Sequence, residues 1–249
     1  MARFVTRFIS FAAIALFAIV SAKLVAADPR FVLVIVVVLA AFLVPAWLAR
    51  RRMTKLLLSG DIEKIIGAFG RSFSREQRND TMALLVAATA YAAYGFIDEA
   101  RRALDRAARG PTWEAALEQR LFVEALLDVY EGERTAAITK ASALEALPLR
   151  TPRTLSGWRT KKKVAQVRRG VAAFARAFAH ASHSGDEVLL REAGRSSPLV
   201  HWAMRYARAV FLIDAGRKDE ARALLADAPA WPEQSAFRTF HDELAAVVA

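Results

Sequence analysis

Hydrophobic positions crowd the start of the chain and fall at helical intervals after it. Residues 8–27 are apolar apart from Ser10, Ser21 and Lys23, and residues 31–49 carry no charge. An α-helix rises about 1.5 Å per residue, so about 20 residues cover a hydrocarbon core of roughly 30 Å, and the pattern predicts two transmembrane helices. The connector Asp28-Pro29-Arg30 is short and holds a helix breaker, which predicts a tight antiparallel hairpin. An alternative for the first stretch is a cleavable signal peptide, with Val20-Ser21-Ala22 as its small-residue cleavage site.

Beyond residue 50, apolar residues step by three and four with few β-branched runs, which predicts an all-α fold. Glycines punctuate this part. Gly95-Phe-Ile-Asp-Glu-Ala-Arg recurs as Gly216-Arg-Lys-Asp-Glu-Ala-Arg, and Ala137 follows Gly132 at the spacing of Ala100 from Gly95. With Gly60 and Gly185 included, the intervals are 35, 37, 53 and 31 residues. Each glycine is expected to end one helix in a left-handed conformation, and the acids that follow to open the next. Pro111, Pro148, Pro198 and Pro229 are expected to stop it. Two short helices cannot bury their apolar faces alone, so such hairpins must stack.

The clearest unit, Leu84, Ala87, Ala88, Tyr91, Gly95, Ala100, Leu104, Ala107 and Pro111, resembles the tetratricopeptide repeat family. The last unit, with Ala209, Gly216, Ala221, Leu225 and Ala228, is similar to it. The unit around Gly132 has Asp128 where that family usually has an aromatic residue, and the Gly185 unit has Phe178 and Leu190 in small-residue places. The resemblance covers residues 80–230 and implies an α-solenoid with a concave surface for peptides or partner proteins.

Charge adds an orientation and a candidate surface. The net charge is +11, yet residues 150–170 alone hold eight basic side chains and no acid: Arg150, Arg153, Arg159, Lys161, Lys162, Lys163, Arg168 and Arg169. The rest of the chain is nearly balanced. Arg3 and Arg7 precede the first apolar stretch, while Arg50, Arg51, Arg52 and Lys55 follow the second, which by the positive-inside rule puts both flanks in the cytoplasm of a bacterial inner membrane. Trp47 fits an interfacial anchor. The basic segment begins as a loop over residues 148–157; from Trp158 onward Val164, Val167, Val171, Phe174 and Phe178 form the apolar face of a helix, with Lys161, Arg168, Arg169 and Arg176 away from it. It reads either as a solvated insertion or as a contact for anionic headgroups or an acidic partner protein. Nucleic acid is disfavoured, because the nearby aromatic residues other than Trp158 belong to the apolar face.

Candidate chemistry is sparse. The absence of cysteine excludes disulfides, thiolate catalysis and cysteine zinc sites. Asp98-Glu99, Asp186-Glu187 and Asp219-Glu220 each follow a turn glycine and read as helix starts, not paired catalytic acids. His180 and His183 would share a helix face but lack further ligands, Ser74 and Gln77 read as a capping box, and Gly67 and Gly70 form no phosphate loop. Tyr91, Tyr94, Phe122 and Tyr130 read as packing residues. No catalytic, metal or cofactor site is expected. The resulting expectation is a membrane anchor over residues 1–52 and a cytoplasmic tetratricopeptide-like domain over residues 53–249, with a basic insertion at 149–163, acting as a membrane-anchored protein-interaction or assembly scaffold. The alternative is a small subunit of a transporter or envelope complex whose hairpin is the working part.

Overall fold

The computed structural model describes residues 31–71, 80–149 and 155–249. Among them the chain is all-α, without strands, and it divides into two compact units, Met1–Met53 and Thr54–Ala249.

What is described of the first unit belongs to one helix, α1 (Phe31–Leu58), which continues past the unit boundary. Val36, Val37, Val44 and Trp47 are exposed on it, and the Arg51 guanidinium lies 5.2 Å from the centre of the Trp47 ring. Among the described residues no helix is long and apolar enough to cross a membrane. The expected transmembrane hairpin is corrected accordingly. Residues 8–27 lie outside the described residues, and residues 31–49 are not a separate span. They are the front of a 28-residue helix that contains Pro45 and runs on through Arg50, Arg51, Arg52 and Lys55.

In the second unit, α1 ends where Gly60 turns left-handed at φ 73°. A helix end leaves carbonyls without intrahelical partners. Here Ser59 Oγ donates to the Leu56 carbonyl (2.8 Å), Tyr94 OH to that of Leu57 (2.5 Å) and Trp202 Nε1 to that of Leu58 (3.0 Å). The next helix, α2 (Ile62–Arg71), starts at Asp61, whose carboxylate accepts the Lys64 N–H at 3.1 Å. Gly67 and Gly70 lie within it; Ser74 and Gln77 lie outside the described residues.

Four hairpins follow: α3 (Thr81–Ala93) with α4 (Ile97–Ala108), α5 (Leu117–Tyr130) with α6 (Arg134–Ala146), α7 (Leu155–Phe178) with α8 (Asp186–Ser196), and α9 (His201–Asp214) with α10 (Lys218–Leu225). The first helices of successive pairs pack on one another, α3 on α5, α5 on α7 and α7 on α9, while each second helix also touches the first helix of the next pair. The same turn ends all four first helices. After α3, Phe96 N–H bonds the Tyr91 carbonyl and Gly95 N–H that of Ala92; equivalent bond pairs close α5 at Gly132, α7 at His180 and α9 at Gly216. All four residues have positive φ: 76°, 81°, 54° and 75°. Seven residues before each stands a fully buried alanine, Ala88, Ala125, Ala173 or Ala209, which lets the paired backbones approach.

This corrects the register read from glycines. Gly185 does not make the left-handed turn, having φ −84°; His180 takes that place, so the last three intervals become 37, 48 and 36. The long interval reflects α7, which has 24 residues and already starts at Leu155, inside the expected loop. Gly170 on α7 permits a close helix contact: a Cβ there would lie 2.2 Å from Ala193 Cβ on α8.

The chain then returns to its first hairpin. Trp231, buried, donates its Nε1 hydrogen to Tyr206 OH at 2.7 Å, and its ring meets those of Tyr94, Trp202 and Phe237 at 6.4, 5.7 and 5.0 Å. Ser235 caps α11 (Ala236–Val248) by accepting the Phe237 N–H, and its hydroxyl donates to the Tyr94 carbonyl at 2.7 Å. Ala236 N–H donates to the Gly95 carbonyl at 2.8 Å. The helix packs on α9 and α10, with Phe237 and Phe240 among Tyr130, Phe178 and Tyr206.

Candidate interaction surfaces

The basic cluster divides once it is placed on the fold. Arg150 and Arg153 lie outside the described residues. Arg159, Lys161, Lys162, Lys163 and Arg169 are exposed on α7 and form no ion pair among the described residues. Arg168 belongs to the interior, at 4 % exposure: Nε and Nη2 bond the Glu118 carboxylate at 3.1 and 2.9 Å, and Nη1 donates to the Leu147 carbonyl at 2.5 Å. Arg176, expected away from the apolar face, reaches Asp186 with two bonds of 2.9 and 2.6 Å. Both arginines pack against neighbouring helices whose carboxylates lie far along the chain or beyond a loop. Beside Lys163 opens a slot of about 300 Å³, walled by Phe122, Leu144, Val164 and Val167.

A larger cleft, about 380 Å³, lies where the turns after α5, α7 and α9 face α11. Its walls are Val129, Phe178, Val210, Ile213, Phe240 and Leu244, and Val247 is exposed at its margin. At the rim, His180 Nδ1 lies 2.9 Å from Asp214 Oδ2, an ion pair when the ring is protonated. Tyr130 packs edge-on against Phe174 and Phe237, and its buried hydroxyl has no hydrogen-bond partner. Burial pushes its pKa well up, so the group stays neutral. Tyr206 OH is pushed up to about 12, burial raising it and the bond from Trp231 opposing.

The remaining candidates resolve into structure. The three acid pairs open α4, α8 and α10 as expected, yet none makes a side-chain cap. Five of the six serve ion pairs instead: Glu99 with Arg102, Asp186 with Arg176, Glu187 with Arg208 and Arg217, Asp219 with Arg222, and Glu220 with Arg217. The shared helix face expected of His180 and His183 is not formed, because α7 ends at Phe178 and His180 occupies the turn. Among the described residues no group of three or more His, Cys, Asp or Glu side chains is placed to hold a metal. Tyr91, Tyr94, Phe122 and Tyr130 do pack against the core.

Comparison of the chain with known protein families, with curated proteins and with solved structures finds no match. The tetratricopeptide resemblance is therefore not a family assignment. Physically, the departures are the 24-residue α7, the histidine turn and the returning C-terminal segment, all outside the clearest unit, Leu84 to Pro111.

Proposed function

We propose that this protein is a membrane-attached helical scaffold that binds a partner protein. The observation that carries the reading is the apolar cleft at the ends of α5, α7 and α9, with aromatic and aliphatic walls and an open margin. Such a surface suits the apolar side of a partner segment. Attachment to lipid is supported by α1, whose exposed valines, leucines and Trp47 would otherwise meet water, and by Arg50, Arg51, Arg52 and Lys55 directly after them. Each basic residue beside an anionic leaflet contributes about 1 kcal/mol, and Lys161, Lys162 and Lys163 add a second such surface. The proposed location is the cytoplasmic face of a bacterial inner membrane. The recurrent turn at Gly95, Gly132, His180 and Gly216 supports reading the four hairpins as units of one stacked helical array.

The test is photo-crosslinking in cells from a reactive residue at Val247, with fractionation of the same cells and a second probe at Val37. A discrete protein adduct from Val247 in the membrane fraction is the expected result. Adducts from Val37 alone would mean that α1 is the working part, and recovery in the soluble fraction would remove the membrane from the reading.

A further inference from the structure

A third cleft, between α8 and α9, has a different character. Its lining includes Arg191 and Arg195 from α8 and His201, Arg205 and Arg208 from α9, around Met204, in a volume of about 190 Å³. Arg191 and Arg195 are one turn apart, exposed, and without an ion pair among the described residues. Opposite them, Arg205 donates to the Leu224 carbonyl at 2.6 Å and pairs with Asp227 at 3.2 Å, while Arg208 pairs with Glu187 at 2.8 Å. These carboxylates do not balance the site. Glu187 is shared with Arg217, and Asp227 is 81 % exposed at its side chain. Glu192, the remaining acid on this part of α8, is hydrogen bonded to Gln166 of α7.

Like charges one helical turn apart disfavour the helix that carries them, by about 0.2–0.5 kcal/mol per pair. Their convergence on one concavity concentrates positive potential there. The two free guanidinium groups each present a planar fork of donors, a geometry matched to phosphate oxygens. The cleft is smaller than the roughly 300–1,000 Å³ typical of whole small-molecule sites, so it suits a single compact headgroup. We infer that the α8–α9 cleft binds a phosphate group, free or as a monoester, through Arg191 and Arg195 with Arg205 and Arg208 behind them. His201 fits this surrounding: burial and the Arg205 charge push its pKa down, which favours the neutral ring and spares the cleft a further positive charge.

The test uses the full chain in a mild non-ionic detergent, titrated calorimetrically at fixed ionic strength with inorganic phosphate, and separately with short-chain phosphatidic acid or phosphatidylcholine. Chloride is the reference anion. Phosphate heat that weakens about tenfold or more in Arg191→Gln/Arg195→Gln supports a soluble ligand, since two charge-assisted bonds are lost. Heat from phosphatidic acid alone, with the same loss, assigns the site to a lipid headgroup. Because neither arginine bonds another of the described residues, the variant should unfold at the wild-type urea concentration, and Arg191→Lys/Arg195→Lys, which keeps charge but not the fork, should recover only part of the binding. No heat from either probe, or heat unchanged by the Gln substitutions, overturns the inference.

Discussion

Asp186 shows how much a single side chain carries here. Its carboxylate is 2 % exposed, bonded twice by Arg176 and once by the His183 N–H at 2.9 Å. Desolvation pushes its pKa up, but the Arg176 and His183 bonds together outweigh that and hold it below the ordinary 3.8. A depressed carboxyl contributes stability that is complete above the unfolded value and lost as pH falls through the folded one. Urea unfolding midpoints should therefore drop below about pH 4, and Asp186→Asn should flatten part of that drop while costing about 2–3 kcal/mol at neutral pH. An unchanged acid slope in the variant would place the titration elsewhere. His180 makes the opposite kind of case, a non-glycine residue at φ 54°. His180→Gly should stay within about 1 kcal/mol of wild type, exchanging the Asp214 contact for relief of strain, whereas His180→Val should cost about 2 kcal/mol in the same assay. Equal effects would show that the turn, not the side chain, sets its own conformation. These residues also mark where the sequence was opaque. Glycine turns are legible because only glycine takes that conformation freely, but a left-handed histidine carries no such flag, and Gly185, five residues on, carries a misleading one. Arg168 looked solvated by helical spacing because its partner Glu118 lies 50 residues away.

At the level of elements, the helices are legible in the sequence because apolar spacing of three and four runs along them, as on α7, where Val171 and Phe174 are fully buried. What spacing could not supply was the distance between helices. The α7–α8 pair approaches so closely at Gly170 that an added methyl would have to displace the Ala193 side chain. Gly170→Ala should raise helix propensity yet lower stability by about 2–3 kcal/mol, because overpacking outweighs a propensity gain of about 1 kcal/mol. Measured by chemical unfolding, a stabilised Gly170→Ala protein would refute the packing seen between these helices. Basic residues on the early turns of α7 were legible as a cluster, but their sorting into exposed lysines and one interior arginine depended on which helices flank them.

For the molecule as a whole, the junction between Gly95 and the start of α11 is the feature with the widest reach. A Cβ at Gly95 would meet Ser235 Oγ at 3.0 Å and the Ala236 and Phe237 nitrogens at 3.2 Å, whereas one at Gly132 would meet nothing within 4 Å. Both have positive φ, so Gly→Ala at either costs the conformational penalty of about 1 kcal/mol, but Gly95→Ala should cost at least about 1 kcal/mol more. Matched urea curves for the two variants decide it, and equal losses would mean that the junction contributes little. Nothing local announces this pairing, since Ser235 and Tyr94 are 141 residues apart. It also bears on how the chain is made. A ribosome releases the first hairpin long before Trp231 and Ser235 exist, so the Tyr94 and Gly95 carbonyls wait until residues 235 and 236 have been made to gain their partners. Late, distant contacts slow folding relative to neighbour-only packing. A product truncated before residue 229 would not be a shorter version of the same protein, because its opening hairpin would lack its last neighbours. For the same reason, a hairpin inserted between α4 and α9 would move residue 236 away from residue 95, so this architecture resists the duplication by which open helical arrays lengthen.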